Sequence, residues 1–247
     1  MRLWNGWGNE DSDLTMELSD GLRALLEALV GPGTALSQAT LNEVIAKVPN
    51  SRLGDHPLIK TEPEIRVRHA RGQSLPDWLE MHSGNVDTFP DGVAFPESSE
   101  QVRELLAHAK ENNLIVIPYG GGTSVVGHIN PETSDKPVLT IDMAKMNSML
   151  SIDTESQLAT FGAGAPGPVV EEELKKHGYT LGHFPQSWEL STLGGWVASR
   201  SSGQQSLHYG RIENMFAGGT IETLNGTMKI PTIPASSAGP DVREMIL

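Results

Sequence analysis

Leu114-Ile115-Val116-Ile117 is a short, β-branched apolar run, and it opens directly onto Pro118-Tyr119-Gly120-Gly121-Gly122-Thr123-Ser124. The run reads as a buried strand by its length and composition. Three successive glycines then remove every Cβ from the loop that follows, so φ > 0 is allowed at each position and a bulky anion could approach the backbone. Upstream, Val93–Phe95 is another short apolar strand. Ser98 can cap a helix whose Gln101 sits three residues on, as a capping box requires. Val102, Leu105, Leu106 and Ala109 recur as one buried stripe, and Asn112-Asn113 end the helix. The spacing predicts a β-α-β unit whose second strand delivers the glycine loop.

The remainder alternates in the same way. Residues 1–13 are polar and Gly-rich, with Trp4 and Trp7 placed to pack an N-terminal arm onto the protein. Leu22, Leu25, Leu26 and Leu29 predict a helix stopped at Gly31. Leu41, Val44, Ile45 and Val48 predict another within 34–48. Residues 49–64 read as a connector, which divides the chain into a helical arm and connector over 1–64 and a larger unit over 65–247. Strands are expected at 137–142, 149–153 and 157–161, helices at 168–177 and within 192–206, and a hairpin over 215–230 with its turn at Asn225-Gly226. Residues 241–247 resemble the first turns of a helix.

Composition restricts the chemistry. The chain has 247 residues, a net charge of −13 and no cysteine. That charge argues against a nucleic-acid partner, which would require clustered Lys and Arg. Any bound phosphate must be held mostly by backbone N–H groups. Without cysteine there is no disulfide, thiolate nucleophile or zinc-thiolate site. The eight histidines are scattered and form no His-x-His or His-Glu-x-x-His pair, so no metal site is expected. No apolar run approaches the roughly 20 residues of a membrane span. The start lacks the apolar core of a signal peptide, and the end is no peroxisomal address. A cytoplasmic chain is the simplest reading, with peripheral membrane contact and a homodimer left open.

Three segments could carry chemistry. In the first, Gly120 to Ser124, successive N–H groups could form an anion nest, with Thr123 and Ser124 adding hydroxyls; a flexible turn is the alternative. It is neither a Walker loop nor a Gly-x-Gly-x-x-Gly opening a helix. The second runs from Gly182 to Trp196 and gathers hydroxyls, aromatic surface and the pair Gly194-Gly195; a capped loop ahead of a helix fits it equally well. The third is Arg200-Ser201-Ser202-Gly203 followed by His208-Tyr209-Gly210. Arg200 could place a cation near a phosphate or form a surface ion pair, and Tyr209 could stack on a ligand or in the core. Neither His183 nor His208 is assigned as a catalyst, and the catalytic residues are not identified.

These segments come in an order that resembles the PCMH-type FAD-binding domain of the vanillyl-alcohol oxidase family. The resemblance rests on Arg68-His69-Ala70-Arg71-Gly72, Pro90 to Pro96, Pro118 to Ser124, Gly182 to Trp196, Tyr209-Gly210-Arg211-Ile212-Glu213 and Ser237 to Asp241. Within the family, the opening Trp-Asn-Gly-Trp-Gly and the Gly-His-x-Pro-x-Ser-x-Glu-x-Ser-Thr-x-Gly-Gly-Trp segment are most similar to the alkyldihydroxyacetonephosphate synthases.

The resemblance implies an α+β fold of two α/β subdomains behind a helical arm. Pro118, Tyr119, Gly120, Gly121, Gly122, Thr123 and Ser124 would contact the FAD diphosphate. Pro185, Ser187, Ser191, Thr192, Gly194 and Gly195 would contact the flavin-side phosphates and ring, and Ser199, Arg200, Ser201 and Ser202 the ring. Tyr209 and Gly210 complete the set. Relatives that attach FAD covalently often carry a histidine in the first loop. Thr123 stands there in this chain, so the FAD should be dissociable. The implied reaction replaces the acyl group of acyl-dihydroxyacetone phosphate with a fatty alcohol, a step toward ether lipids. A 2-hydroxy-acid dehydrogenase and a non-catalytic flavin module are the alternatives. Ala235 stands where the synthases generally carry an arginine. The family continues past the position of Leu247 with a strand that closes the FAD site and a substrate or cap domain, so this chain is expected to be inactive without that partner domain.

Overall fold

The apolar run that leads into the glycines is an edge strand of a mixed four-stranded sheet. The computed structural model describes residues 2–11, 18–233, 237 and 239–247; Ala235 and Ala238 lie outside them. The fold is α+β, with small sheets and short helices.

Helix α1 (Asp20–Val30) is capped by Ser19 and ends at Gly31, whose φ is +88°. No α1 residue is buried, so its leucine stripe lies open, with Leu29 71% exposed. Helix α2 is confined to Leu41–Ile45, shorter than its apolar spacing suggested, because a Thr40–Glu43 capping box starts it late. Strand β1 (Ile59–Lys60) lies within the stretch read as a connector, and helix α3 (Pro63–Arg68) crosses its end. Helix α4 (Leu75–Ser83) starts at a Ser74–Asp77 capping box and stops at Gly84. Val44, Val67, Ala70, Met81, Val86 and Phe89 form one core cluster, and Trp4 packs against it.

Strand β2 (Gly92–Ala94) feeds helix α5 (Ser99–Glu111), which leads to β3 (Ile115–Tyr119). The Ser98 hydroxyl accepts from the Gln101 N–H, but the Gln101 side chain accepts from Glu97 and not from Ser98, so the capping box is incomplete. Leu105 and Ala109 are the buried members of the α5 stripe. The expected β-α-β unit is present, but its two strands are not neighbours. Strand β4 (Val138–Asp142) lies between β2 and β3, parallel to both, and β1 runs antiparallel on the outer side of β2. All five β4 residues are buried, whereas β3 is only partly so. Pro118 gives the physical reason: lacking an N–H, it suits an edge strand, where one side of the ladder goes unpaired.

Strands β5 (Met149–Asp153) and β6 (Leu158–Phe161) make a hairpin, and helix α6 (Gly167–Lys175) follows. Short helices α7 (Leu193–Ala198), α8 (Ser206–Tyr209) and α9 (Ile212–Met215) come next. Strands β7 (Gly219–Thr223) and β8 (Gly226–Ile230) pair so that Leu224-Asn225 form the turn and Gly226 opens β8. Arg103 of α5 meets Glu222 of β7 at 2.8 Å, which docks this hairpin on the helix. Val242–Met245 is a 3-10 turn, not an α-helix.

Asp91 ties the sheet to the segment before it. Its carboxylate takes the Arg52 guanidinium at 2.9 and 2.7 Å, the Arg52 N–H at 3.1 Å and the Val138 N–H at 2.8 Å. Burial alone would raise its pKa, but these four donors outweigh burial and hold it below the ordinary 3.8. Asp91→Ala is expected to cost about 3 kcal/mol in urea denaturation at neutral pH, because it strands buried donors. The contribution is complete above pH 3.8 and is lost as pH falls through the lower folded value. The gap between variant and parent should therefore close in acid.

Candidate functional site

Strand β3 ends in Tyr119, a buried ring that packs 4.7 Å from the His69 ring. Burial pushes the Tyr119 hydroxyl up to about 12, so it stays protonated. The glycines that follow have a different reason to be bare from the one the sequence suggested. A Cβ on Gly120 would lie 2.3 Å from Thr192 Oγ1. On Gly121 it would lie 1.9 Å from the Leu190 carbonyl oxygen, and on Gly122 2.0 Å from the Tyr119 hydroxyl. Protein fills all three spaces, so the glycines let two loops interlock; their Cβ positions are not a ligand's approach. Positive φ is needed only at Gly122, at +65°.

The nest itself remains. The N–H groups of Gly121, Gly122, Thr123 and Ser124 find no acceptor among the described residues. Residues far away in sequence brace the loop. The Ser124 carbonyl accepts from Gln73 N–H at 2.6 Å, and the Asn130 amide bridges Gly72 N–H at 3.0 Å and Asp77 Oδ1 at 2.6 Å. Ser124 Oγ lies 3.1 Å from His128 Nδ1.

The second loop folds on itself, with Pro185 accepting from Trp188 N–H and Ser187 from the N–H groups of Leu190 and Ser191. Ser191 Oγ accepts from Trp196 Nε1 at 2.7 Å. Thr192 is buried, yet its Oγ1 has no hydrogen-bond partner among the described residues. Gly194 donates its N–H to Ala163 and presses against it, which fixes α7, while Gly195 is exposed. Thr192 Oγ1 thus stands beside Gly120, with a donor to offer.

His183 sits behind this loop, 1% exposed. Its ring edge is against Trp196 and its Nε2 lies 3.2 Å from Ser201 Oγ. Its Nδ1 is unpartnered, and burial lowers its pKa, so it is neutral at pH 7. Contacts run without a break from Gly121 through Ser191, Trp196 and His183 to Ser201. The third segment is attached more loosely. Ser199 Oγ donates to Gly195, and Ser202 is exposed. Arg200 has φ +49° and pairs with Glu244 at 2.6 Å, so its charge is already partnered. The Tyr209 ring covers Gly182, and Gly210 ends α8 at φ +91°. His208 is exposed against Tyr209.

The donor set suits a diphosphate: unspent amides and an orphaned buried hydroxyl. Charge-assisted bonds from amides and hydroxyls to phosphate oxygens are stronger than neutral ones. Sequence reasoning missed Asn130, Gln73 and Asp77 as braces, since no local pattern links positions so far apart.

Residues 90–230 match the model of a family described as an FAD binding domain. The alkyldihydroxyacetonephosphate synthase of Dictyostelium discoideum is 39% identical over 189 residues, which is 76% of this chain and 31% of that protein. The synthase of Caenorhabditis elegans is 32% identical over 99% of this chain and 46% of its own length. A solved structure of an alkyldihydroxyacetonephosphate synthase superposes with a TM-score of 0.86 at 31% identity, covering all of this chain and 50% of that one. The chain therefore spans between about a third and a half of the proteins it matches.

Proposed function

Since the chain belongs to the FAD-binding-domain family, we propose that it is the FAD-holding portion of a flavoenzyme of the alkyldihydroxyacetonephosphate synthase type, and that it holds FAD without a covalent bond. The observation that carries this reading is the meeting of two loops, one with four unspent N–H groups and the other with the unpartnered Thr192 hydroxyl. Gly121 to Ser124 and Thr192 would hold the diphosphate. His183 and Ser201 would lie toward the flavin end. Thr123 stands where covalent relatives often carry histidine, and the chain has no cysteine, which supports a dissociable flavin.

When bound, the flavin supplies redox-active ring chemistry that no side chain provides. The protein's part is to position it and exclude water. His183, neutral and buried with Nδ1 unspent, offers a hydrogen-bonding group at fixed orientation, because Trp196 and Ser201 hold its ring. The chemistry served is the exchange of the acyl group of acyl-dihydroxyacetone phosphate for a fatty alcohol, with the 2-hydroxy-acid dehydrogenase reaction as the competing use of the same domain.

Titration of the purified protein with FAD tests the binding claim. Flavin at a hundred times its Kd should add about 2.7 kcal/mol, a melting-temperature rise of about 5–10 °C. Denaturation in trichloroacetic acid should release all the flavin into the supernatant. No melting shift at saturating FAD would end the flavin reading, and flavin retained on the pellet would end the non-covalent one. D-lactate bleaching the flavin absorbance would move the activity to the dehydrogenase side.

A further inference from the structure

The glycine loop is also touched by the far end of the chain. The Arg2 guanidinium donates to the Gly121 carbonyl, across 119 positions of sequence. Arg2 is held in place to do so. Its own carbonyl accepts from Arg68 Nη1 at 2.8 Å, and it bridges to Asn9 across a turn closed by Leu3 N–H on the Gly8 carbonyl at 3.0 Å. Arg68 in turn binds Glu10 and Glu64, and Trp4 packs on the nearby core. No carboxylate of the described residues forms an ion pair with Arg2. The other arginines around the site are committed: Arg68 to those two glutamates, Arg71 to Glu80 and Asp87, and Arg200 to Glu244.

We infer that Arg2 is a positioning residue of the diphosphate site, and that the N-terminal turn is thereby part of the cofactor site. The inference rests on the flavin reading above. The peptide between Gly121 and Gly122 is planar and trans. Its carbonyl and N–H therefore point in opposite directions, so a guanidinium that holds the Gly121 oxygen on one face aims the Gly122 N–H at the other. That N–H has no acceptor among the described residues. Donation to the carbonyl also polarises the peptide and makes the N–H a stronger donor to an anion. The positive charge acts in the same direction in a chain of net charge −13. Arg2 thus favours an anion at the loop by orienting its donor.

The test is FAD affinity, read by quenching of flavin fluorescence, with R2M and R2K beside the parent. R2M removes donor and charge but keeps an apolar stem. It should bind FAD about tenfold more weakly, the size expected for losing a charged hydrogen bond that orients the site. R2K should recover most of the loss, and both variants should melt like the parent without FAD. Parental affinity in R2M would overturn the inference and leave the flavin reading standing. So would an R2K as weak as R2M, or an R2M without a cooperative melt, since either makes Arg2 a packing residue. A parent that binds no FAD would overturn both.

Discussion

Gly121→Val is expected to yield a colourless protein that takes up no FAD at any accessible concentration. The added Cβ would fall 1.9 Å from the Leu190 carbonyl oxygen and 2.7 Å from its carbon. Those are backbone atoms, which cannot rotate away as a side chain does. The two loops must separate, and each half of the site loses the other. The γ-carbons of valine add further overlap, so the cost should exceed the 1–3 kcal/mol or so typical of an overpacked core. Even Gly121→Ala should fail, which separates this position from one where only flexibility is needed. Gly195→Ala is the control on the same site. Its Cβ would meet Thr192 Oγ1 alone, at a tight 3.3 Å, so flavin uptake should be weakened but not abolished. The ratio of flavin to protein absorbance after purification reads both variants. A yellow Gly121→Val protein would mean that the interlocked loops are not the cofactor site.

Thr192→Val should separate binding from folding. The shape is kept and the hydroxyl is lost. Without FAD, Oγ1 is a buried polar atom with no partner among the described residues, a state that costs about 1–3 kcal/mol. Its removal should leave the apo-protein as stable as the parent or more so. With FAD the sign reverses, because the variant lacks one donor to phosphate. Affinity should fall roughly ten- to a hundredfold, from a loss of about 1.5–3 kcal/mol. Thermal melts with and without FAD show both effects in one experiment. An apo-protein destabilised by the change would show that the hydroxyl serves the fold and not a ligand.

The sequence discloses elements more readily than neighbours. Ser98 and the α5 stripe follow from local rules, because a cap and an apolar face are set within a few residues. The insertion of β4 between β2 and β3 does not, since nothing local says which strand a strand will meet. Pro118 held a usable sign: a proline in a strand marks an edge, and the apolar run before it obscured that sign. The glycine triplet was legible as unusual but not for its cause. Bare backbone reads the same whether a ligand or another loop lies against it, and only the partner's position 69 residues away decides. The α1 stripe was legible as amphipathic, yet its exposed leucines show that periodicity names a face without naming what it meets.

The meeting of Gly121 with Leu190, and with Arg2 near the start of the chain, gives the proposed cofactor site a kinetic character. No short segment can nucleate it. Closing a loop of roughly seventy residues carries an entropy cost that only the finished tertiary structure repays. The proposed anion nest is therefore expected to form late, after the local elements, in a folding experiment that follows each separately.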